Sequence, residues 1–571
     1  MPYTTSPEID FSAIGLVVDV PANAVPTGGW TDSLNVRPRN GSVQGVNSFA
    51  NDIVLHPTDA NIANGEAKAI CQFTPAGADD LIIAYIVKGV NGNGSVILYN
   101  TGGSGNSRWN NITNAVANQV FTFDDDYPPQ IFVFNELLIV NPATDAPPQF
   151  TTAAVGAGSL VELPNWVYDT TATTTTAGAF VSGAKYTITA VGSTSFTGIG
   201  ASANTVGITF TATGAGSGNG TATITTPVIT RVLKSFNTRL IAMNIKEEHN
   251  AGVSDDVYQP IDLLFSSNIS TISSLAAAEW IASTTNTAGD AFLVDTPGKI
   301  LDGGQLGEFF IAYKSDSVVR IRETGDSFVL AIESIFEDDG IYSTRCFANI
   351  GNSQHLVVGN YGVYVHDGQS QKQDIAKDLF QDTMFALIKP AERSRTFVFQ
   401  QTRDKEVWFC LPSNANDTTG CDIAYCYDYS SSKIHKRTLP GLSDLFETEL
   451  NGELKIYACK SGTTLQLLSN TALESGGYFE RINDNLTDNG KVKHINRIEV
   501  NAVGSCLLAL TGTQNLSDSK SYTNVSFNPV TDHKVDVRTS GRYMNLKVTM
   551  NGTINPQLSK LQFDLKMMGV R

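Results

Sequence analysis

The runs Thr396-Phe-Val-Phe399, Glu406-Val-Trp-Phe-Cys410 and Ile423-Ala-Tyr-Cys-Tyr-Asp428 decide the fold. Each is short, apolar, and rich in the aromatic and β-branched residues that suit a pleated surface, with polar turn residues between one run and the next. That is the pattern of strand, tight turn, strand and loop. The same unit recurs on both sides. Upstream stand Leu81-Ile-Ile-Ala-Tyr-Ile86 with Ser95-Val-Ile-Leu-Tyr99, Ile131-Phe-Val-Phe134 with Leu137-Leu-Ile-Val140, and Phe309-Phe-Ile-Ala-Tyr313 with Ser317-Val-Val-Arg-Ile321. Closer in lies His355-Leu-Val-Val-Gly-Asn360 with Gly362-Val-Tyr-Val-His-Asp-Gly368, and downstream Leu454-Lys-Ile-Tyr457 with Thr464-Leu-Gln-Leu467. From about residue 299 the copies are spaced roughly 40–60 residues apart, the spacing of four-stranded propeller blades. An array of β-sandwiches also yields strands about every 8–12 residues, but a hairpin rhythm over most of the chain favours a β-propeller.

Two segments depart from the rhythm. Residues 169–227 are almost free of charge and dominated by Thr, Gly, Ala and Ser, yet contain Lys185-Tyr-Thr-Ile-Thr-Ala-Val191 and Val206-Gly-Ile-Thr-Phe-Thr-Ala212, so a small folded β module inserted into the propeller is expected. After Gly476-Gly477 the strands restart as Ile495-Asn-Arg-Ile-Glu-Val500, Cys506-Leu-Leu-Ala-Leu510 and Tyr543-Met-Asn-Leu-Lys-Val-Thr-Met550, which predict a C-terminal β-sandwich-like domain over 481–571. The turn-rich residues 1–50 read as an extended N-terminal arm, leaving 51–168 and 228–480 as the two parts of the propeller. Helices are expected to be minor, with Ser273-Ser-Leu-Ala-Ala-Ala-Glu-Trp-Ile281 and Ile375-Ala-Lys-Asp-Leu-Phe380 the best short candidates.

The chain has 571 residues, too many for one core. Its 39 Lys+Arg against 56 Asp+Glu give a net charge of −17, with no basic stripe to neutralise phosphates. Tight nucleic-acid binding is disfavoured; an acidic wall would instead let a duplex pass without sticking. Cys71, Cys346, Cys410, Cys421, Cys426, Cys459 and Cys506 are odd in number and contain no Cys-x-x-Cys pair, so free buried thiols formed in a reducing cytosol are expected. No export signal and no run of about 18 apolar residues is recognisable, which predicts a soluble chain without a transmembrane segment.

Catalytic constellations are not apparent. Asp124-Asp125-Asp126, Asp255-Asp256 and Glu337-Asp338-Asp339 raise the question of a paired-carboxylate glycan hydrolase, but each sits beside turn signals and reads as solvated loop acid. The histidines His56, His249, His355, His366, His435, His494 and His533 form no His-Glu-x-x-His motif; His355 and His366 fall on successive strands, where facing one another is open to them, but strand histidines without ligand partners are the commoner case. Neither a nucleophile elbow nor a phosphate-binding loop is present, and Gly89-Val-Asn-Gly-Asn-Gly94 and Gly214-Ala-Gly-Ser-Gly-Asn-Gly220 read as loop glycines. Phe399 and Tyr425 read as core, whereas Trp109 and Trp166, beside loops, suit a subunit contact. The expectation is no catalytic residue, no cofactor and no metal.

Several stretches resemble the nozzle, or tail tubular protein B-like, family of short-tailed bacteriophages (podoviruses). They are Gly298-Lys-Ile-Leu-Asp-Gly-Gly, Tyr313-Lys-Ser-Asp-Ser-Val318, Gly340-Ile-Tyr-Ser343 and Gly362-Val-Tyr-Val-His-Asp-Gly368. Pro21-Ala-Asn-Ala-Val-Pro-Thr-Gly-Gly-Trp-Thr-Asp-Ser-Leu-Asn-Val36 is similar to that family's N-terminal arm, and Gly541-Arg-Tyr-Met-Asn-Leu-Lys-Val548 with Leu561-Gln-Phe-Asp-Leu-Lys-Met-Met-Gly-Val-Arg571 to its last strands. The 169–227 segment resembles an insertion module of phage structural proteins. The resemblance implies a non-enzymatic structural virion protein. It would be assembled in the host bacterial cytoplasm and sit in the virion tail as a homohexameric ring below the portal and a tail tubular A-like adaptor ring. Tail fibres or spikes would be its neighbours, with contact to the host envelope, and double-stranded DNA would pass through its channel during ejection without specific binding. The alternative is a carbohydrate-binding or glycan-cleaving propeller serving as receptor binder or depolymerase, although the repeated Ser-x-Asp-x-Gly-x-Thr-Trp boxes of sialidase-type propellers are missing.

Overall fold

In a computed structural model the chain is almost entirely β-structure. The structure describes residues 4–54, 66–74, 82–88, 94–100, 109–112, 121, 124–144, 146–151, 160–166, 174–182, 184–224, 228–247, 258–275, 278–325, 328–351, 353–369, 371–414, 420–450, 452–460, 464–486, 490–550 and 556–568. Two compact units emerge. One holds residues 56–344 and 368–370; the other holds 1–55, 345–367 and 371–571. The propeller residues are therefore divided between both units, and the second unit also takes in the two chain ends.

The 56–344 unit contains four blade-type sheets, each a four-stranded antiparallel meander in chain order. The first runs Glu66–Phe73, Ile82–Lys88, Gly94–Asn100 and Trp109–Asn111; the second Gln130–Phe134, Leu137–Asn141, Gln149–Thr151 and Val161–Glu162. The third runs Val228–Phe236, Arg239–Glu247, Gln259–Phe265 and Gly289–Phe292; the fourth Ile300–Leu306, Phe309–Lys314, Val318–Glu323 and Leu330–Phe336. The first strands of consecutive sheets lie against one another, as in a β-propeller.

The third blade shows why its strands read as near-continuous apolar runs: it is buried on both faces. Successive side chains point to opposite sides of a sheet. Leu233, Leu240, Ala242 and Leu264 pack with Phe134, Leu137 and Ile139 of the second blade, whereas Val232, Ile241, Met243 and Leu263 pack with Phe310, Ala312 and Ile321 of the fourth. Trp166 belongs to the former core, where its ring meets Trp280 edge-on at 3.9 Å and its indole N–H donates to the Val228 carbonyl. The expected subunit contact at Trp166 is thereby corrected: the tryptophan is buried within its own unit. The side chain of Trp109 lies outside the described residues.

Between the second and third blades sits the inserted module. Its strands Thr174–Thr176, Lys185–Ala190, Thr209–Thr211 and Thr221–Ile224 make a four-stranded sheet with a core of its own, built on Phe180, Tyr186, Ile188, Phe196 and Phe210.

Three more blades belong to the other unit. The fifth comprises Phe347–Ile350, Gln354–Val358, Val363–His366 and Lys372–Asp374. The sixth starts with Phe397–Gln401, Glu406–Leu411 and Cys421–Asp428, and its outer strand is the first half of the long Lys433–Leu450. Past Pro440-Gly441 the same strand becomes the inner strand of the seventh blade, pairing with Glu453–Lys460. Thr464–Leu473 follows, and the outer position is taken by Asn47–Val54 from the other end of the chain. Seven blade-type sheets are thus present among the described residues.

The C-terminal β domain has two sheets. One contains Lys493–Val503, Lys534–Gly541 and Gln557–Met567; the other contains Tyr478–Asp484, Cys506–Thr513, Thr523–Phe527 and Tyr543–Met550. Its first strand crosses the boundary expected at 480. The N-terminal residues are not a free arm. Thr4–Thr5 and Glu8–Ile9 pair with Gln557–Met567, Asp32–Leu34 pairs with Tyr478–Asp484, and Ser42–Gly45 pairs with both Val36–Arg39 and Gln557–Met567. Gly15–Leu16 joins the sixth blade at Ile434. Turn-forming residues mark short strands here, and backbone pairing with distant segments is what orders them.

Helix is scarce, as expected. Ile272–Leu275 is a single turn that overlaps only the start of the 273–281 candidate. The second candidate is displaced: Asp374 turns the chain by accepting from the backbone N–H groups of Ala376 and Lys377, and the helix begins later, at Gln381–Leu387. Its N-terminus is capped from afar by Asp19, whose carboxylate accepts from Asp382 N (2.7 Å), Thr383 N (3.0 Å) and Thr383 Oγ1 (2.6 Å). Among the described residues no helix is long and apolar enough to cross a membrane.

Candidate functional site

Of the acidic clusters, the first is tied into the fold through Asp124. Asp124 Oδ2 accepts from Arg231 Nη1 at 2.7 Å and its other oxygen accepts from Asp126 N. Glu337 and Asp338 are exposed in a turn while the adjacent Asp339 is buried, so the three do not share one face. Asp255, Asp256, His56, His249 and the run 89–93 lie outside the described residues. All seven cysteines are free and buried, as expected. His355 and His366 are directly opposed across neighbouring strands, with ring centroids 5.7 Å apart and both rings buried.

Three places concentrate polar chemistry. The first lies in the 56–344 unit. Arg231 on the third blade is held between two aromatic rings, 4.3 Å from the Tyr127 centroid and 4.1 Å from that of Tyr258. Tyr127 accepts from Asn244 Nδ2 and Tyr258 donates to the Thr144 carbonyl. A guanidinium already covers one face of each ring, so this cation–π clamp ties the loops before and after the strands together.

The second place is the turn at Tyr313–Val318. Lys314 is completely buried, and its ammonium donates to the carbonyls of Leu293 (2.8 Å) and Thr296 and to Thr296 Oγ1 (3.2 Å). Burial pulls its pKa down, opposed by the charges of Asp316 and Asp295. The Lys314 carbonyl accepts from Ile341 N (3.0 Å), Ser315 N donates to Lys299 O (2.8 Å), and Ser317 Oγ donates to Pro297 O (2.9 Å). Glycine is required at two points. A Cβ on Gly340 would stand 2.1 Å from the Lys314 carbonyl oxygen, and Gly298, at φ +93°, would place one 2.5 Å from Ser315 Oγ. Gly298, Tyr313–Val318 and Gly340-Ile341 therefore interlock as one knot.

A third place, in the other unit, escaped sequence reasoning. Glu406, Cys426 and His435 lie on three consecutive strands of the sixth blade, fully buried, with one donor atom from each within 4.8 Å of the others. Cys426 is directly opposite His435 on one side and Trp408 on the other, and Glu406 is two residues from Trp408, so all project on one face. Residues 20 and nine positions apart meet only once the strand register is known, and no local motif signals them.

Around them, Glu406 Oε2 accepts from the Trp408 indole N–H at 2.8 Å and Oε1 from Arg37 at 3.3 Å. Arg37 also reaches Asp404 at 2.9 Å, which pairs in addition with Arg39 at 2.7 Å. Burial opposes ionisation of Asp404, but Arg37 and Arg39 outweigh it and hold the carboxyl far below the usual range. Burial raises the pKa of Glu406, the Arg37 charge only partly opposing it. Burial, followed by the Glu406 charge, pushes the Cys426 thiol well up. Burial and the charges of Arg37 and Arg437 push the His435 imidazole well below its usual value. Arg437 itself packs over Trp408 at 4.4 Å and Phe49 at 5.2 Å and donates to the Asn47 carbonyl.

Comparison with known proteins adds little. No family model matches the chain, and no curated protein matches it. Among solved structures it is similar to an exo-β-1,3-galactanase from Phanerochaete chrysosporium at 7% identity and a TM-score of 0.22, over 58% of this chain and 94% of that one. It is also similar to prolyl oligopeptidase B from Galerina marginata at 9% identity and a TM-score of 0.28, over 75% of this chain and 55% of the other.

Proposed function

We propose that the chain is a structural subunit of a short-tailed phage tail nozzle, a ring of six copies enclosing the DNA-ejection channel. The observation that carries this is the knot at Gly298, Tyr313–Val318 and Gly340-Ile341. The residues behind the resemblance are packing devices, with a buried lysine spent on carbonyls and glycines forced by backbone contact, and a scaffold family would keep such features together. Seven blade-type sheets, and chain ends stitched into the sheets of one unit, also suit a part that must transmit force without unfolding. The −17 net charge favours passage of DNA over its capture.

Cryo-electron microscopy of the virion that carries the chain is the test, with a closed sixfold ring on the tail axis expected. A strictly monomeric copy in a complete virion would overturn the assignment. A glycan array with a reducing-sugar assay addresses the other class of function: turnover abolished by altering Asp124–Asp126 or Glu337–Asp339 would replace the structural role with a glycan-active one.

A further inference from the structure

We propose that Glu406, Cys426 and His435 form a binding site for one divalent metal ion of the borderline class, zinc above all. The inference is independent of the nozzle assignment.

The donor set selects the ion. One thiolate, one imidazole and one carboxylate match zinc, whereas magnesium and calcium take oxygen ligands. The spacing fits as well, because ligand atoms about 2.0–2.3 Å from a common ion lie roughly 3–4 Å from each other, and these three already lie within 4.8 Å. The side chains project from adjacent strands onto one face.

The surroundings supply what ligands require. His435 brings a ring nitrogen within 4.8 Å of the thiol and carboxylate donors. Glu406 is oriented by the Trp408 indole N–H, the kind of outer partner that fixes a ligating carboxylate. Arg37 does not claim Glu406 for itself: its shorter contact is to Asp404, which also takes Arg39. The thiol proton of Cys426 leaves to solvent as the metal–sulfur bond forms, along with any proton on Glu406, with no change of oxidation state. Binding therefore weakens as pH falls.

The site is enclosed, so the ion is taken up as the chain folds. The full chain should be expressed in zinc-supplemented medium, purified without chelator, and analysed for metal by mass spectrometry. About one zinc per chain is expected. Cys426→Ala and His435→Ala should each lower bound zinc at least about tenfold. Because both substitutions alter the buried core, the deciding measurement uses the unaltered chain refolded with cobalt(II): an intense near-ultraviolet thiolate-to-cobalt band and the weaker visible bands of a tetrahedral site are expected. Unaltered protein that folds with zinc or cobalt present, retains less than about a tenth of an equivalent and shows no thiolate band overturns the proposal. So does zinc retained at full level in a folded Cys426→Ala chain.

Discussion

The inserted module at 174–224 and the N-terminal residues 4–54 are of similar length and are both rich in turn residues, yet they are built on opposite plans. The module closes on itself. Its strands pair with one another, and Phe180, Tyr186, Phe196 and Phe210 form a core that, among the described residues, the module supplies by itself. Thr174, Thr223, Thr187 and Thr209 stand in register across all four strands, β-branched residues that favour the strand while their hydroxyls face outward. The N-terminal segment has no such core. It lends strands to both C-terminal sheets and to the sixth and seventh blades, and it caps a helix through Asp19. One segment is an added part, the other a fastener, and composition alone does not tell them apart.

The sharpest way to break this contrast is Trp30. Its side chain is fully buried, its ring packs on Phe479 at 5.3 Å, and its indole N–H donates to the Phe11 carbonyl at 2.8 Å. Trp30→Ala removes a large core side chain and leaves a buried acceptor without its donor, a loss of about 3–5 kcal/mol in the unit that contains both chain ends. Denaturant unfolding followed by circular dichroism measures it. A change below about 1 kcal/mol would mean that the segment is an appended arm after all.

The same unit should also be the more acid-sensitive. His366 is pushed down to about 3 by burial and then by His355; Tyr364, with Lys372 over its ring, also lies beside it. In the unfolded chain the imidazole titrates near its ordinary value of 6.5. The folded state prefers the neutral ring, so its contribution is complete above that pH, declines as pH falls toward 3, and has gone below it. At about 1.4 kcal/mol per pH unit the loss is at most on the order of 4–5 kcal/mol. Melting temperature against pH should fall through this window in the unaltered chain and less steeply in His366→Leu. Parallel curves would remove the histidine pair as the cause.

These contrasts show what was legible in the amino-acid order. Strands whose partners are the next run along, such as 397–401 with 406–411, announce themselves through apolar runs and intervening turns. The insert was visible because its composition differs from everything around it. Asn47–Val54 gave no sign that it ends a blade begun almost 400 residues later, and Trp166 looked like a surface residue because the strands that bury it lie beyond the insert. The Glu406, Cys426 and His435 cluster stayed hidden for the same reason: the residues are brought together by register across three strands, a quantity set by tertiary packing.

A smaller effect tests the fastener at one point. Asp19→Ala removes the carboxylate that accepts from two backbone N–H groups at the start of Gln381–Leu387. The expected cost is about 1 kcal/mol, with Asp19→Asn retaining part of it. Hydrogen exchange at Asp382 and Thr383 reports the cap directly, and unchanged protection in the alanine variant would show that the long-range contact is not formed in solution.

The smallest effect belongs to the insert. Trp166 donates to the Val228 carbonyl, so the chain leaves the blades and returns to them at nearly the same place. Replacing 169–227 by a short Gly-Ser linker therefore closes a small gap, and lengthening or shortening such a loop changes its closure entropy only slowly, about 0.6 kcal/mol per doubling. Lys185 also releases Glu162, a partly exposed ion pair worth little by itself. The melting temperature of the shortened chain should stay within about 3 °C of the original. A larger drop, or failure to fold, would mean that the threonine-rich sheet supports the blades, and the contrast between added part and fastener would fall with it.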